Sequence, residues 1–252
     1  MTPSDQWLYR FRRKRGWVFV PTQATIEYGQ EVKLLIEKHW TAPRYYYHLQ
    51  QGGHVLALQQ HRAHTFFLHL DIKSFFGNIK SSRVTRSLKG MLSYAVAREI
   101  AIHSTVRHPY ERDLTILPFG FIQSPIIASV CLSMSTLGKA LHKLHRFPGM
   151  AVSVYMDDII LSSDHIDDLK SAMEIIEKAS VRSNFPLNKK KQEGPGRTIT
   201  AFNIELSQDT LDITPKRLSE FQEIYHHSLN PNQQAGILNY VKKVNAKQAA
   251  TF

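Results

Sequence analysis

One cysteine, Cys131, is present in 252 residues, so no intrachain disulfide can form and Cys-rich zinc modules are excluded. A reducing, cytoplasmic setting is the expectation that follows. Long apolar runs are missing too. The longest uncharged stretch, 114–137, is interrupted by Pro118, Gly120, Gln123 and Pro125. The apolar segment after the basic run Arg10, Arg12, Arg13, Lys14, Arg15 covers only 16–20 before Pro21 closes it. Neither suits a membrane-spanning helix or a signal-peptide core, and a soluble protein with no membrane partner is expected. Acidic residues are scarce: 21 Asp and Glu stand against 32 Lys and Arg, a net charge of +11. That imbalance points to a polyanionic partner. There is neither a repeat of solenoid period nor a low-complexity tract. With 42% hydrophobic residues the chain can bury a full core.

Residues 1–65 mix basic, aromatic and His-rich segments, including Tyr45-Tyr46-Tyr47, which reads either as a base-stacking surface or as an alternating strand. Residues 65–72, TFFLHLDI, are rich in β-formers and predict a buried strand. From Ser82 to His103, Val84, Leu88, Met91 or Leu92, Ala95 and Ile100 recur at helical spacing and predict a helix. The loop Leu117-Pro118-Phe119-Gly120 precedes Ser124 as N-cap and Pro125 as first residue of a buried helix over 126–141. Residues 151–161, AVSVYMDDIIL, are apolar on both sides of one acidic pair, which predicts two short strands with the acids at the bend. Ile166, Leu169, Met173 and Ile176 predict a helix with Asp164 as N-cap and Asp167 and Asp168 in its first turn. Short strands over 198–206 and 210–213 lead to two C-terminal helices. Strands and helices mix without a βαβ rhythm, so the class is α+β.

Asp71 and the pair Asp157-Asp158 interrupt otherwise apolar strand cores. Burying an unpaired carboxylate costs several kcal/mol, so such groups persist where a cation or a catalytic task compensates. Oxygen donors suit hard divalent cations, Mg²⁺ or Mn²⁺, two of which can activate an attacking 3′-hydroxyl and stabilise a leaving pyrophosphate. The histidines His48, His54, His61 and His64 offer a zinc cluster as an alternative, but no thiol or carboxylate completes it.

These motifs resemble the reverse transcriptases. Tyr155-Met156-Asp157-Asp158 is similar to their Y-x-D-D box, and 70–76, LDIKSFF, to their first palm motif. Residues 117–125, LPFGFIQSP, resemble the L-P-x-G-x-x-x-S-P segment, 187–191, LNKKK, the lysine-bearing motif, and 200–204, TAFNI, the primer grip. The resemblance spans about 60–206, with the motifs in family order. It implies a right-hand polymerase: fingers over 1–65, a palm over 66–206 with a finger segment at about 80–116, and a short helical thumb over 207–252. It implies RNA-directed addition of dNTPs to a primer 3′-hydroxyl. Asp71 and Asp157 would ligate the metals, with Asp158 close by and the Ile72 carbonyl as an extra ligand. Lys73, Phe119, Gly120 and Gln123 would contact the substrate. Phe76 would be the steric gate against a ribose 2′-hydroxyl, unless Phe75 faces the pocket instead. Lys191, or Lys189 or Lys190 in its place, would protonate pyrophosphate.

Two departures stand out. The third loop position, often Gln in the family, is Phe119, which makes that nucleotide contact apolar and leaves template-independent or protein-primed synthesis as an alternative. The segment ending at His61 is similar to the N-A-x-x-H segment of bacterial retron enzymes without its Asn-Ala pair, and Thr200-Ala201-Phe202 departs from their V-T-G. The look is nonetheless closest to the retron, abortive-infection and defence group. That implies antiphage biology, with an RNA template, a DNA product, and a non-coding RNA, partner effector, second polymerase subunit or further copy of the chain. A catalytically silent RNA-binding scaffold is the remaining alternative.

Overall fold

The computed structural model describes residues 6–13, 16–111 and 113–252. Lys14 and Arg15 of the N-terminal basic run lie outside them. β1 (Trp7–Arg13) and β2 (Gly16–Pro21) form an antiparallel hairpin, followed by α1 (Gln23–His39), whose first turn is capped by the Thr22 hydroxyl accepting from the Thr25 amide. α2 (Gly53–Gln59) leads into β3 (Phe66–Asp71), the strand expected from its β-formers.

The apolar pattern over 82–103 is divided between α3 (Ser81–Leu88) and α4 (Tyr94–Ser104). The break follows from Gly90, a poor helix former, and from Ser93, whose hydroxyl accepts from the Val96 amide and starts a new helix. Two short strands, β4 (Val106–Arg107) and β5 (Thr115–Ile116), pair before the next helices. The run over 126–141 is likewise two helices, α5 (Ser124–Ser133) and α6 (Thr136–His145), bent by 76°. Ser135 caps α6, and a side chain at Gly138 would collide with the Leu132 and Ser133 carbonyls, so the bend depends on glycine there. Ser124 is the first helical residue rather than the cap, which is Gln123. Among the described residues no single helix is long and apolar enough to cross a membrane.

β6 (Met150–Tyr155) and β7 (Asp158–Ser163) form the expected hairpin, α7 (Ile166–Ser183) follows, and β8 (Glu193–Gly196) completes an antiparallel sheet of order β6-β7-β3-β8. Asp164 does not cap α7. His165 occupies that position, and the Asp164 carboxylate accepts from the Thr65 amide and hydroxyl at the start of β3, where two donors compete successfully for it. Asp167 and Asp168 lie in the first turn as expected.

The sheet's two faces follow from period-two alternation. Leu68, Leu70, Ile159 and Leu161 pack into the larger core with the helices, while Phe67 and Ile160 face a second core. That second core is built on β9 (Thr198–Ala201), β10 (Ile204–Ser207) and β11 (Thr210–Ile213), with α9 (Pro231–Val244) against it. The expected strand over 198–206 turns at Phe202 and Asn203, both in left-handed conformation. α8 (Pro215–His227) and α10 (Ala246–Ala249) complete the chain. The tyrosine run is neither an alternating strand nor a stacking surface: Tyr45, Tyr46 and Tyr47 are all buried, because the chain meets the sheet edge there through a single bridge between Tyr46 and Val154.

Candidate active site

The register of β3 against β7 places Asp71 directly opposite Asp158. Asp157 sits in the two-residue turn between β6 and β7, and its carbonyl accepts from the Ile72 amide at 2.8 Å, which ties the exit of β3 to that turn. Two stretches far apart in sequence therefore deliver three aspartates to one end of the sheet. Met156, the other turn residue, has φ 58°, a left-handed conformation that costs a non-glycine residue about 1 kcal/mol or more.

His48 holds that strained residue in place: its Nδ1 accepts from the Met156 amide at 3.1 Å. Burial pushes the His48 pKa down to about 4, so the ring is neutral and its proton resides on Nε2. Nε2 donates to the Ser129 hydroxyl at 2.6 Å, which in turn donates to the Pro125 carbonyl at 2.8 Å. The chain of bonds runs from the acidic turn to the first turn of α5.

Buried Asp71 and partly buried Asp158 both have donors around them. Asp71 accepts from the Asn188 side-chain amide at 3.1 Å and from the Lys191 ammonium, and its own carbonyl accepts from the Asn188 backbone amide. Asp158 accepts from His69 Nε2 at 2.9 Å, and His69 Nδ1 donates to the Thr200 carbonyl at 3.1 Å. These partners offset the desolvation of the carboxylates.

Asp157 and Asp158 line a cleft of about 280 Å³ walled by Phe76, Phe119, Gly120, Pro125, Tyr155 and Phe202, while Asp71 is buried beside them and does not line it. Phe76 and Phe119 pack with ring centroids 4.5 Å apart. Of the two adjacent phenylalanines, Phe76 lines the cleft, whereas Phe75 turns into the core against Phe185. Gly120 has φ 107°, and any side chain there would strike the Phe19 carbonyl. The Phe19 amide donates to the Phe119 carbonyl at 2.9 Å, so β2 straps this loop against the cleft.

The remaining sequence-derived residues distribute as follows. Ile72 is buried beside the turn, and Lys73 is exposed with its amide donating to the Pro186 carbonyl. Of Lys189, Lys190 and Lys191, Lys191 is the one whose ammonium reaches Asp71. Gln123 is corrected: it is fully buried beneath Gly29 of α1, donates to the Ser104 hydroxyl at 3.3 Å, and does not line the cleft. At the entry to α5 its side chain points to α1 and α4, not to the acids.

The four histidines do not form a common centre. His54 meets the Tyr240 hydroxyl, while His61 lies between Ser153 and Ser162, with His64 also on Ser162. Among the described residues no three His, Cys, Asp or Glu side chains gather at metal-ligating spacing. Sequence reasoning missed His69 and Asn188 as partners of the acids and His48 as the partner of the turn. For His69 a signal existed: two residues before Asp71 in a strand, it shares that residue's face.

Structures similar to this one include telomerase from Candida tropicalis in complex with a TWJ fragment of telomeric RNA, at 12% identity and a TM-score of 0.59 over 98% of this chain and 54% of that one. The foamy viral protease-reverse transcriptase in complex with double-stranded DNA is similar at 16% identity and a TM-score of 0.52, over 93% of this chain and 35% of that one. At such identities the likeness establishes the fold, a polymerase-like α+β architecture. This chain spans about half or less of those proteins' length. No curated protein sequence matches it. The pattern of one family matches residues 20–201, more than half of the chain and all three aspartates, and this chain accordingly belongs to the reverse transcriptase (RNA-dependent DNA polymerase) family.

Proposed function

We propose that this chain is the core of an RNA-directed DNA polymerase that adds dNTPs to a primer 3′-hydroxyl at the end of the β6-β7-β3 sheet. The observation that carries the reading is Asp71 opposite Asp158, with Asp157 in the adjoining turn and both Asp157 and Asp158 lining an aromatic-walled cleft. The three aspartates offer only oxygen donors, and Asp71 already holds a positive charge, the Lys191 ammonium. That donor set fits Mg²⁺, or Mn²⁺ in its place, on Asp71 and Asp157 with Asp158 and the Ile72 carbonyl beside them. Such ions, when bound, acidify the 3′-hydroxyl and stabilise the pyrophosphate.

The chain's own groups do the rest. His48 and the Ile72 amide fix the turn, so Asp157 needs little reorganisation when substrate arrives. His69 orients Asp158. Phe76 presents its ring where a ribose 2′-hydroxyl would need room, and Phe119 offers an apolar face to the base. Lys191, once released from Asp71, is placed to give its proton to the leaving pyrophosphate. In this reading 1–65 and about 80–116 serve as fingers, 66–206 as palm and 207–252 as a short thumb. Placement with bacterial retron and defence enzymes, and an antiphage role, rest on the sequence around His61; the similar structures, viral and telomerase polymerases, do not add to it.

Primer extension on an RNA template with dNTPs and Mg²⁺ tests the proposal. Synthesis is expected from the native protein and none from Asp157→Asn, with RNA affinity unchanged. Full synthesis by that variant overturns the acid assignment. Product formed without template, random or repetitive in sequence, favours the untemplated alternative, and RNA binding without any synthesis favours the scaffold.

A further inference from the structure

We propose that the outer face of the helical layer, remote from the catalytic cleft, is a second nucleic-acid surface that grips the phosphodiester backbone of RNA lying outside the copied stretch. Four concave regions line this face. The first, about 430 Å³, lies between α3 and α4 and carries Arg86, Lys89 and Arg98. The second, about 460 Å³, shares Arg86 with the first and reaches Arg182 at the end of α7. The third, about 410 Å³ between α6 and α7, shares Arg182 with the second and adds Lys139 and Lys143. The fourth, about 350 Å³, shares those two lysines and ends at His142 and Tyr45. The shared residues make one continuous band, and no lining residue belongs to the cleft lined by Asp157 and Asp158.

Charge asymmetry decides what such a band fits. No Asp or Glu is found among the described residues that line any of the four regions. Among the described residues Arg86, Lys89, Arg98, Lys139, Lys143 and Arg182 also make no ion pair; Lys178, in the third region, is the exception, paired with Glu174 at 3.5 Å, while Lys33, Lys170, Lys191 and Arg217, off the band, are all paired. Exposed cations kept free of carboxylates along a grooved face repel one another unless a polyanion neutralises them. Hydroxyls interleave with them: Ser82 and Tyr94 in the first region and Thr136 in the second and third supply uncharged donors for phosphate oxygens. A phosphodiester chain matches a long, sequence-indifferent, cationic and hydroxylated track better than any compact anion. The inference rests on the proposed function only in naming RNA as the nucleic acid.

The test uses the full chain carrying Arg86→Gln, Lys139→Gln, Lys143→Gln and Arg182→Gln together, all exposed positions outside the catalytic cleft. Binding is measured by fluorescence anisotropy against a long folded RNA bearing the primer site, as a function of salt. The slope of log Kd against log salt is expected to become shallower by about 3 to 4, close to one per phosphate contact removed, with Kd weakened roughly tenfold or more at ~100 mM salt. Extension of a short template–primer, which occupies only the cleft, is expected to stay at the native rate. A charge-conserving set, Arg86→Lys, Lys139→Arg, Lys143→Arg and Arg182→Lys, is expected to keep the native slope and controls for folding. An unchanged slope in the Gln set, or an equal loss in the charge-conserving set, overturns the proposal. So does loss of binding to vesicles of anionic lipid with RNA binding retained. If the native protein extends no primer while the Gln set still loses affinity for the long RNA, the surface stands and the polymerase reading falls.

Discussion

His61 gives the sheet beneath the aspartates a calculable pH dependence. The ring is fully buried and its two nitrogens each sit 2.8 Å from a hydroxyl, Ser162 on β7 and Ser153 on β6, the two arms of the acidic hairpin. Burial pushes its pKa down to about 3 from an ordinary 6.5. Between those values the unfolded chain takes up a proton that the folded chain refuses. The stability contribution is therefore complete above pH 6.5 and is lost as pH falls toward 3. From pH 7 to pH 5 this single group removes about 2 kcal/mol of folding free energy, on the order of 1.4 kcal/mol for each pH unit below 6.5. Glutamine in its place keeps one donor and one acceptor for the two serines but cannot titrate. Urea unfolding of the native protein and of His61→Gln at pH 7 and pH 5, followed by circular dichroism, isolates the effect. The native protein should lose about 2 kcal/mol more than the variant over that interval. An equal loss in both refutes the assignment of a neutral, buried His61.

Further consequences of the geometry are open to measurement. Phe76→Ala opens the cleft wall and should reduce discrimination of dNTPs over NTPs by roughly 10–200-fold in kcat/KM, as expected for one steric contact; an unchanged ratio removes the gate from this residue. Gly120→Ala should destabilise the fold by about 2 kcal/mol or more, because both its left-handed backbone and the Phe19 carbonyl oppose a side chain, and thermal unfolding reads this directly. Lys191→Gln removes the ammonium that occupies Asp71, so half-maximal activity should need less Mg²⁺ while kcat falls; a higher Mg²⁺ requirement contradicts the competition.

The parts of this molecule legible in the sequence are those where local chemistry and global need agree. Asp71 and Asp157-Asp158 stand out because ionised groups are costly inside apolar strands, and one acidic pair interrupting an apolar run places the hairpin bend. Helix ends were harder to read. Ser93 and Ser135 cap new helices inside apolar patterns that run on past them, and the 76° bend before α6 depends on a backbone approach at Gly138 that composition does not reveal. Gln123 lies inside a motif that faces the cleft, yet its own direction is set by Gly29 and Ser104, residues distant in sequence. The same holds for His48, whose bond to Met156 crosses more than a hundred residues. Partners set by tertiary closure leave no periodic trace.

The strap between β2 and the Phe119-Gly120 loop bears on how this protein should be handled. The family pattern begins at residue 20, inside β2 and one position after the residue whose amide and carbonyl both meet that loop. A recombinant fragment trimmed to the pattern would retain every aspartate and still lose the brace behind the Phe119-Gly120 loop of the cleft, so its silence in an assay would say nothing about the chemistry of the full 252-residue chain.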